Sequence, residues 1–221
     1  MTSFIGPILV FYIGFKIGNS IRRTDFIRFI TAFSFIVLFY KFAFSVQFFL
    51  LAFLTFSLIS VSVIDFFHRI IPVMFPIILV IVGVIFSFFN GVLGKTNLSR
   101  FLNSFSGVLI GGGILIITGF LGHLIYKKEV IGGGDVELMA GVGAFIGWEK
   151  VLFAVFIAAL FGSITALLLI VCKKIKMKDY IPFGPFLSVG SFITIFLPRP
   201  LLILNMFFIW ETQLLNKFCG T

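Results

Sequence analysis

Apolar runs of helix-spanning length alternate with short polar or Pro/Gly breaks along the whole chain. They fall at about residues 4–18, 26–40, 44–64, 71–89, 105–126, 136–148, 151–172 and 183–197. A ninth run, Leu201 to Trp210, is short and ends in the polar residues Glu211, Thr212 and Gln213; it either lies along the interface or completes a tilted span. A hydrocarbon core of about 30 Å is crossed by about 20 apolar residues in helical form. The pattern therefore predicts an all-α, polytopic integral membrane protein of about eight transmembrane helices. One transmembrane domain is expected over 1–221, with 201–221 as a short apolar segment and tail.

Composition sharpens this picture. Of the 221 residues, 60% are hydrophobic and only 11% charged, with mean hydropathy +1.22. A soluble domain would be about half apolar and a quarter charged. The first run does not read as a cleavable signal peptide, because no basic stretch precedes it and no small-residue cleavage site precedes Lys16. The net charge of +9 fits basic loops facing anionic lipid better than nucleic acid, which is not expected as a partner. Two cysteines (Cys172, Cys219) and two histidines (His68, His123) form no CxxC pair. No zinc site of the usual spacing, and hence no bound metal or soluble zinc-binding domain, is expected.

Charge also orients the chain. Leaving out Lys217 in the tail, alternate loops divide the cations into two sets. Eleven fall in one (Lys16, Arg22, Arg23, Arg28, Arg69, Lys127, Lys128, Lys173, Lys174, Lys176, Lys178) and five in the other (Lys41, Lys95, Arg100, Lys150, Arg199). The richer set is assigned to the cytoplasm and the N-terminus to the outside. Asp65, Asp135 and the Pro-Phe-Gly-Pro stretch at 182–185 then emerge on the cytoplasmic side.

The chemistry gathers at two of the eight acids. Asp135 follows Gly132, Gly133 and Gly134, and the run after it reaches Trp148 in only 13 residues, about 20 Å of helix. With Trp148 as an interfacial anchor, Asp135 lies below the headgroups, where a carboxyl is costly and points to function. Irregular Gly-rich backbone at that depth is tolerated only when buried in protein or lining a wet cavity, so a water-filled pocket open to the cytoplasm is expected. Asp65 ends another apolar run. Asp25, Glu129 and Asp179 lie among basic loop residues, and Glu149 and Glu211 near the opposite interface. Glu137, two residues after Asp135, faces another side of its helix and either tunes the pocket or pairs with a lysine. Asp65 and Asp135 remain as the candidate pair.

Two carboxyls sharing one proton are the equipment of an aspartic protease: one acts as base on a water while the other, protonated, polarises the scissile carbonyl. The positive end of the helix that Asp135 opens and the negative end of the one Asp65 closes assign the resting proton to Asp65. Gly132 and Gly134 would let an extended substrate backbone approach without Cβ interference. Gly107 with Gly111, and Gly143 with Gly147, are spaced for close helix contact in lipid. Gly111, Gly112 and Gly113 lie inside an apolar run with no Lys-Ser/Thr after them, so they read as a packing or kink site and not a phosphate loop. His68 reads as an interfacial polar group.

Three motifs in order resemble the bacterial prepilin peptidase family, the type IV leader peptidases, which are GxGD intramembrane aspartic proteases. They are Asp65 with Ile71-Pro72; Gly132 to Asp135 running into Ala140 to Trp148; and Ile181-Pro182-Phe183-Gly184-Pro185-Phe186 before a terminal helix. The resemblance implies cleavage of a short basic leader from type IV prepilin or pseudopilin precursors, at the cytoplasmic face of the bacterial inner membrane. It carries the catalytic pair over to Asp65 and Asp135, with Gly132, Gly134, Pro182, Gly184 and Pro185 binding substrate or shaping loops. No cofactor is implied for peptide cleavage, and S-adenosylmethionine only if the family's N-methylation is retained. Two departures stand out. The four-cysteine cytoplasmic domain of many members is missing between the first two runs, and Glu137 occupies a place where the family usually has Lys. The competing reading is a small proton- or cation-coupled transporter that uses the same buried acids.

Overall fold

A computed structural model of the chain describes residues 25–127, 131–173 and 181–197. Among them all regular structure is helical: α1 (Asp25–Phe42), α2 (Val46–His68), α3 (Met74–Ile85) with a 3-10 turn at Phe86–Phe89, α4 (Asn97–Tyr126), α5 (Gly133–Val171) and α6 (Gly184–Phe196). Three helices, α2, α4 and α5, are long and apolar enough to cross a membrane. The expected count of eight spans is thus not reproduced; the runs at 4–18 and 201–210 lie outside the described residues.

Local signals set the boundaries. Ser45 caps α2 by accepting from the Phe48 amide, one of the first-turn donors a helix leaves unpaired. The helix ends where Arg69 turns left-handed (φ 57°) and its N–H reaches the Asp65 carbonyl at 2.8 Å. That fixes Asp65 in the last turn. α4 starts at Asn97, eight positions before the apolar run at 105, because Thr96 and Ser99 form a reciprocal capping box. Arg100 then ties the helix start to the preceding loop through the Gly94 and Phe88 carbonyls.

α5 is not one rod. Its 39 residues would stretch about 58 Å if straight, nearly twice the bilayer core. Gly147 breaks it with φ 79° and ψ 171°. A Cβ built on Gly111 of α4 would approach both Met139 and Val151 within about 3 Å. Those two residues would be about 18 Å apart on a straight helix. The chain therefore folds back at Gly147 into two arms, 133–146 and 148–171, matching the separate runs read at 136–148 and 151–172. The carbonyls freed at the bend are taken up by buried side chains: Asn90 Nδ2 donates to Phe145 O and Ser104 Oγ to Ala144 O, each at 2.8 Å. Unpaired, such groups would be costly in an apolar interior.

The two arms form the centre of the fold, packed on α3, α4 and α6. Leu138, Met139, Phe145, Val151, Ala154 and Ala158 are buried there, with Leu79 of α3 and Leu187 of α6. Glycine makes the close approach to α4: a Cβ on Gly107 or on Gly143 would collide with the other's backbone. The expected small-residue contact is present, with Gly147 adding the reversal.

At the far end, Lys41 and Lys150 donate to the last carbonyls of α6. Lys41 Nζ lies 3.3 Å from Ile195 O and 3.0 Å from Phe196 O, and Lys150 Nζ 3.3 Å from Ile195 O. Cations suit the negative end of a helix. Lys150, read as a loop residue, is 8% exposed. The opposite end of the bundle holds Asp65, the glycine turn before Asp135 and the start of α6.

Candidate active site

Three backbone breaks converge at that end. Asp65 lies in the last turn of α2, Asp135 in the first turn of α5, and Gly184 opens α6. The Gly184 amide donates to Asp65 Oδ2 at 2.9 Å. This contact explains the glycine, since a Cβ at 184 would sit 2.7 Å from Oδ2 and 3.1 Å from Cγ. Pro185 suits the first turn of α6, whose leading amides have no helical partner. Ser188 Oγ bridges the Gly184 carbonyl (2.9 Å) and the Leu58 carbonyl (3.1 Å), locking the start of α6 to α2. Pro182 precedes this turn and is partly buried.

Asp135 is seated by the glycine turn, its N–H reaching the Gly132 carbonyl at 3.1 Å. The turn that carries Asp135 lies against the segment that follows Asp65, which puts both acids at the same end of the bundle. Gly134 has a packing role: a Cβ there would lie 2.7 Å from Ile71 Cβ, so the turn is pressed against the segment after Asp65. A Cβ on Gly132 would meet Asp135 Oδ2 at an ordinary 3.5 Å.

The structure thus brings Asp65, Asp135, Gly134 and Gly184 together, while Gly132 and Pro182 border them. Two sequence readings change. The carboxyls do not stand in an open wet cleft, for Asp65 is 2% and Asp135 5% exposed. Cavities flank them instead. An apolar groove of about 490 Å³ runs beside Asp65 between α1, α2 and α6, and a cavity of about 310 Å³ borders Gly133 and Val136. Secondly, helix ends no longer assign the proton, because Asp65 faces the positive end of α6 as well as the negative end of α2. With Oδ2 engaged by Gly184, a proton held on Asp65 would reside on Oδ1.

His68 is exposed, as its interfacial reading expects. Glu137 is partly buried, and its Oε2 has no hydrogen-bond partner among the described residues. Ser188 escaped the sequence reading, as did the packing of Ile71, named there only with Pro72, on Gly134. Ser188 sits one turn after Gly184, the spacing at which a helical serine returns to a carbonyl four residues back; Ile71 carried no signal beyond its place before Pro72.

The type IV leader peptidase family profile matches residues 51–167, more than half of the chain and including both acids. Among curated proteins, the chain is 26% identical to the prepilin leader peptidase/N-methyltransferase of Stutzerimonas stutzeri over 71% of this chain and 52% of that one. It is 28% identical to the enzyme of the same name from Pseudomonas aeruginosa over 64% of this chain and 47% of that one. It is 40% identical to leader peptidase HopD of Salmonella typhimurium over 38% of this chain and 54% of that protein. The chain thus spans about half the length of these relatives. No solved structure matches it. With one profile covering most of α2, the glycine turn and both buried acids, the chain belongs to the type IV leader peptidase family.

Proposed function

We propose that the protein is an aspartic endopeptidase that removes a short basic leader from type IV prepilin or pseudopilin precursors. The reaction is assigned to the cytoplasmic face of the bacterial inner membrane. The observation that carries this reading is the meeting of two buried acids, seventy positions apart in sequence, with one of them anchored by the first amide of α6. Membership of the leader peptidase family supports it.

In this reading the Gly184 amide holds Asp65 Oδ2, with Ser188 fixing Gly184 through its carbonyl, which leaves Oδ1 for the shared proton or for substrate. A water between the carboxyls loses a proton to the ionised partner and attacks the scissile carbonyl carbon. The protonated partner donates a hydrogen bond to the carbonyl oxygen as the tetrahedral intermediate forms. Transfer of a proton to the amide nitrogen then lets the C–N bond break, and both carboxyls return to the shared-proton state. Because both acids are buried at rest, peptide and water reach them only after the glycine turn or the start of α6 shifts. S-adenosylmethionine enters only if N-methylation is retained.

The test uses the full chain in liposomes with a synthetic precursor: a basic leader followed by an apolar helix. Mass spectrometry of the product reads the cut and any methyl group together. Wild type is expected to cut at the leader junction, and Asp65→Asn and Asp135→Asn each to lower the rate by at least about a thousandfold, on the order of 4 kcal/mol of barrier. Acid-driven ion flux into the liposomes with no cleavage would transfer the same carboxyls to the transport reading.

A further inference from the structure

The apolar groove beside Asp65 has features that the peptidase reading leaves unused. Ile27 and Ser34 of α1, Thr55 and Leu58 of α2, and Val189 and Phe192 of α6 line it. It is continuous with the candidate site, since its wall also includes Ser62, Phe66 and Pro185, flanking Asp65 and Gly184. Its volume of about 490 Å³ is close to what a ten-residue helix segment occupies when sunk to half its diameter, about 600 Å³ for a cylinder 10 Å across and 15 Å long.

Within this lining Thr55 is buried, 1% exposed, and its hydroxyl has no hydrogen-bond partner among the described residues. Its neighbours behave otherwise: Ser57 and Ser60 donate to the Phe53 and Phe56 carbonyls one turn back. A buried hydroxyl left unpaired in an apolar setting is unfavourable, so a ligand that pairs it recovers that deficit. Ser34 lines the same groove from α1.

Resting on the peptidase reading, we infer that this groove receives the apolar helix of the precursor, and that Thr55, with Ser34, selects a helix carrying a polar side chain at matching depth. Ten residues separate Thr55 from Asp65, about 15 Å along α2. A substrate covers that distance in about ten residues if helical from the cut and in about five if extended. The polar residue is therefore read between about the fifth and tenth positions after the cut.

The experiment compares single-span peptides, each with a basic leader and a helix of Leu and Ala. One helix is wholly apolar; the others carry a single Asn moved from position three to position fourteen. The readout is kcat/KM for each Asn peptide divided by that for the apolar one, measured within each variant so that a general loss of activity cancels. Wild type is expected to show a peak of about three- to tenfold at positions five to ten, the range for one hydrogen bond between helices in lipid. Thr55→Val should flatten the peak, and Thr55→Ser should restore it. A profile without a peak, or a peak that survives Thr55→Val, overturns the inference, whereas failure to cut any peptide strikes the peptidase reading itself. A photo-crosslinker at Val189 supplies a second arm. Capture of the peptide supports the assignment; capture of lipid, or of this chain's own residues 1–24 with the peptide present, overturns it.

Discussion

At the residue scale, the geometry turns on what glycine leaves room for. Gly184 lets its amide reach Asp65 Oδ2, and Gly134 lets the glycine turn lie on Ile71. A Gly184→Ala chain must move the carboxylate or α6, since the added carbon would lie 2.7 Å from Oδ2. Displacement of about 1 Å in a catalytic group can cost about a hundredfold. Gly184→Ala is therefore expected to lower the cleavage rate about a hundredfold while melting in detergent within a few degrees of wild type; near-normal cleavage would remove Gly184 from the site. Gly134→Ala is expected to destabilise by about 1–3 kcal/mol through overpacking. Ile71→Ala in the same chain should recover most of that, and a double-mutant cycle of thermal unfolding that shows simple additivity would dismiss the contact. Asp65 and Asp135 were legible in sequence because acids at the ends of apolar runs stand out. The Gly184 amide was not, because a backbone donor belongs to every residue and only the fold selects which one is aimed.

At the element scale, the run pattern located the helices well where polar breaks coincided with bends. The break at Trp148, Glu149 and Lys150 marked the two arms of α5, although only φ 79° at Gly147 shows how sharply they reverse. The start of α4 was misplaced because Asn97 to Arg100 are polar and read as loop; the Thr96–Ser99 cap and the Arg100 hydrogen bonds carry the helix through them. Asn90→Leu would leave the Phe145 carbonyl unpaired at the bend and is expected to cost about 1–3 kcal/mol. Gly147→Ala forces a left-handed alanine and brings its Cβ within 3.2 Å of Leu93, for a further loss on the order of 1–2 kcal/mol. Denaturation of each variant in detergent measures both, and unchanged stability would contradict the hairpin account.

Across the whole molecule, the elements sort into two ends. One holds Lys41, the 3-10 turn, the Gly147 bend and the last carbonyls of α6; the other holds both acids, Gly184 and Lys127. Hydropathy and the bias of Lys and Arg predicted this alternation, but charge counting alone gives the direction of the chain across the bilayer. With Cys172 and Cys219 replaced by Ser, a single cysteine at Lys95 should react with a membrane-impermeant maleimide added outside intact cells, and one at Lys127 only after lysis. The reverse pattern would invert the assignment and move the acids to the outer face.

The central claim is that Asp65 and Asp135 share one site. Infrared titration of the carboxyl bands in Asp65→Asn and Asp135→Asn tests it without any substrate. If the side chains meet, replacing either must shift the titration of the other, because their protons belong to the pair. Curves for the surviving acid that superimpose on wild type in both variants would mean that the two acids are independent, and the paired site would be lost.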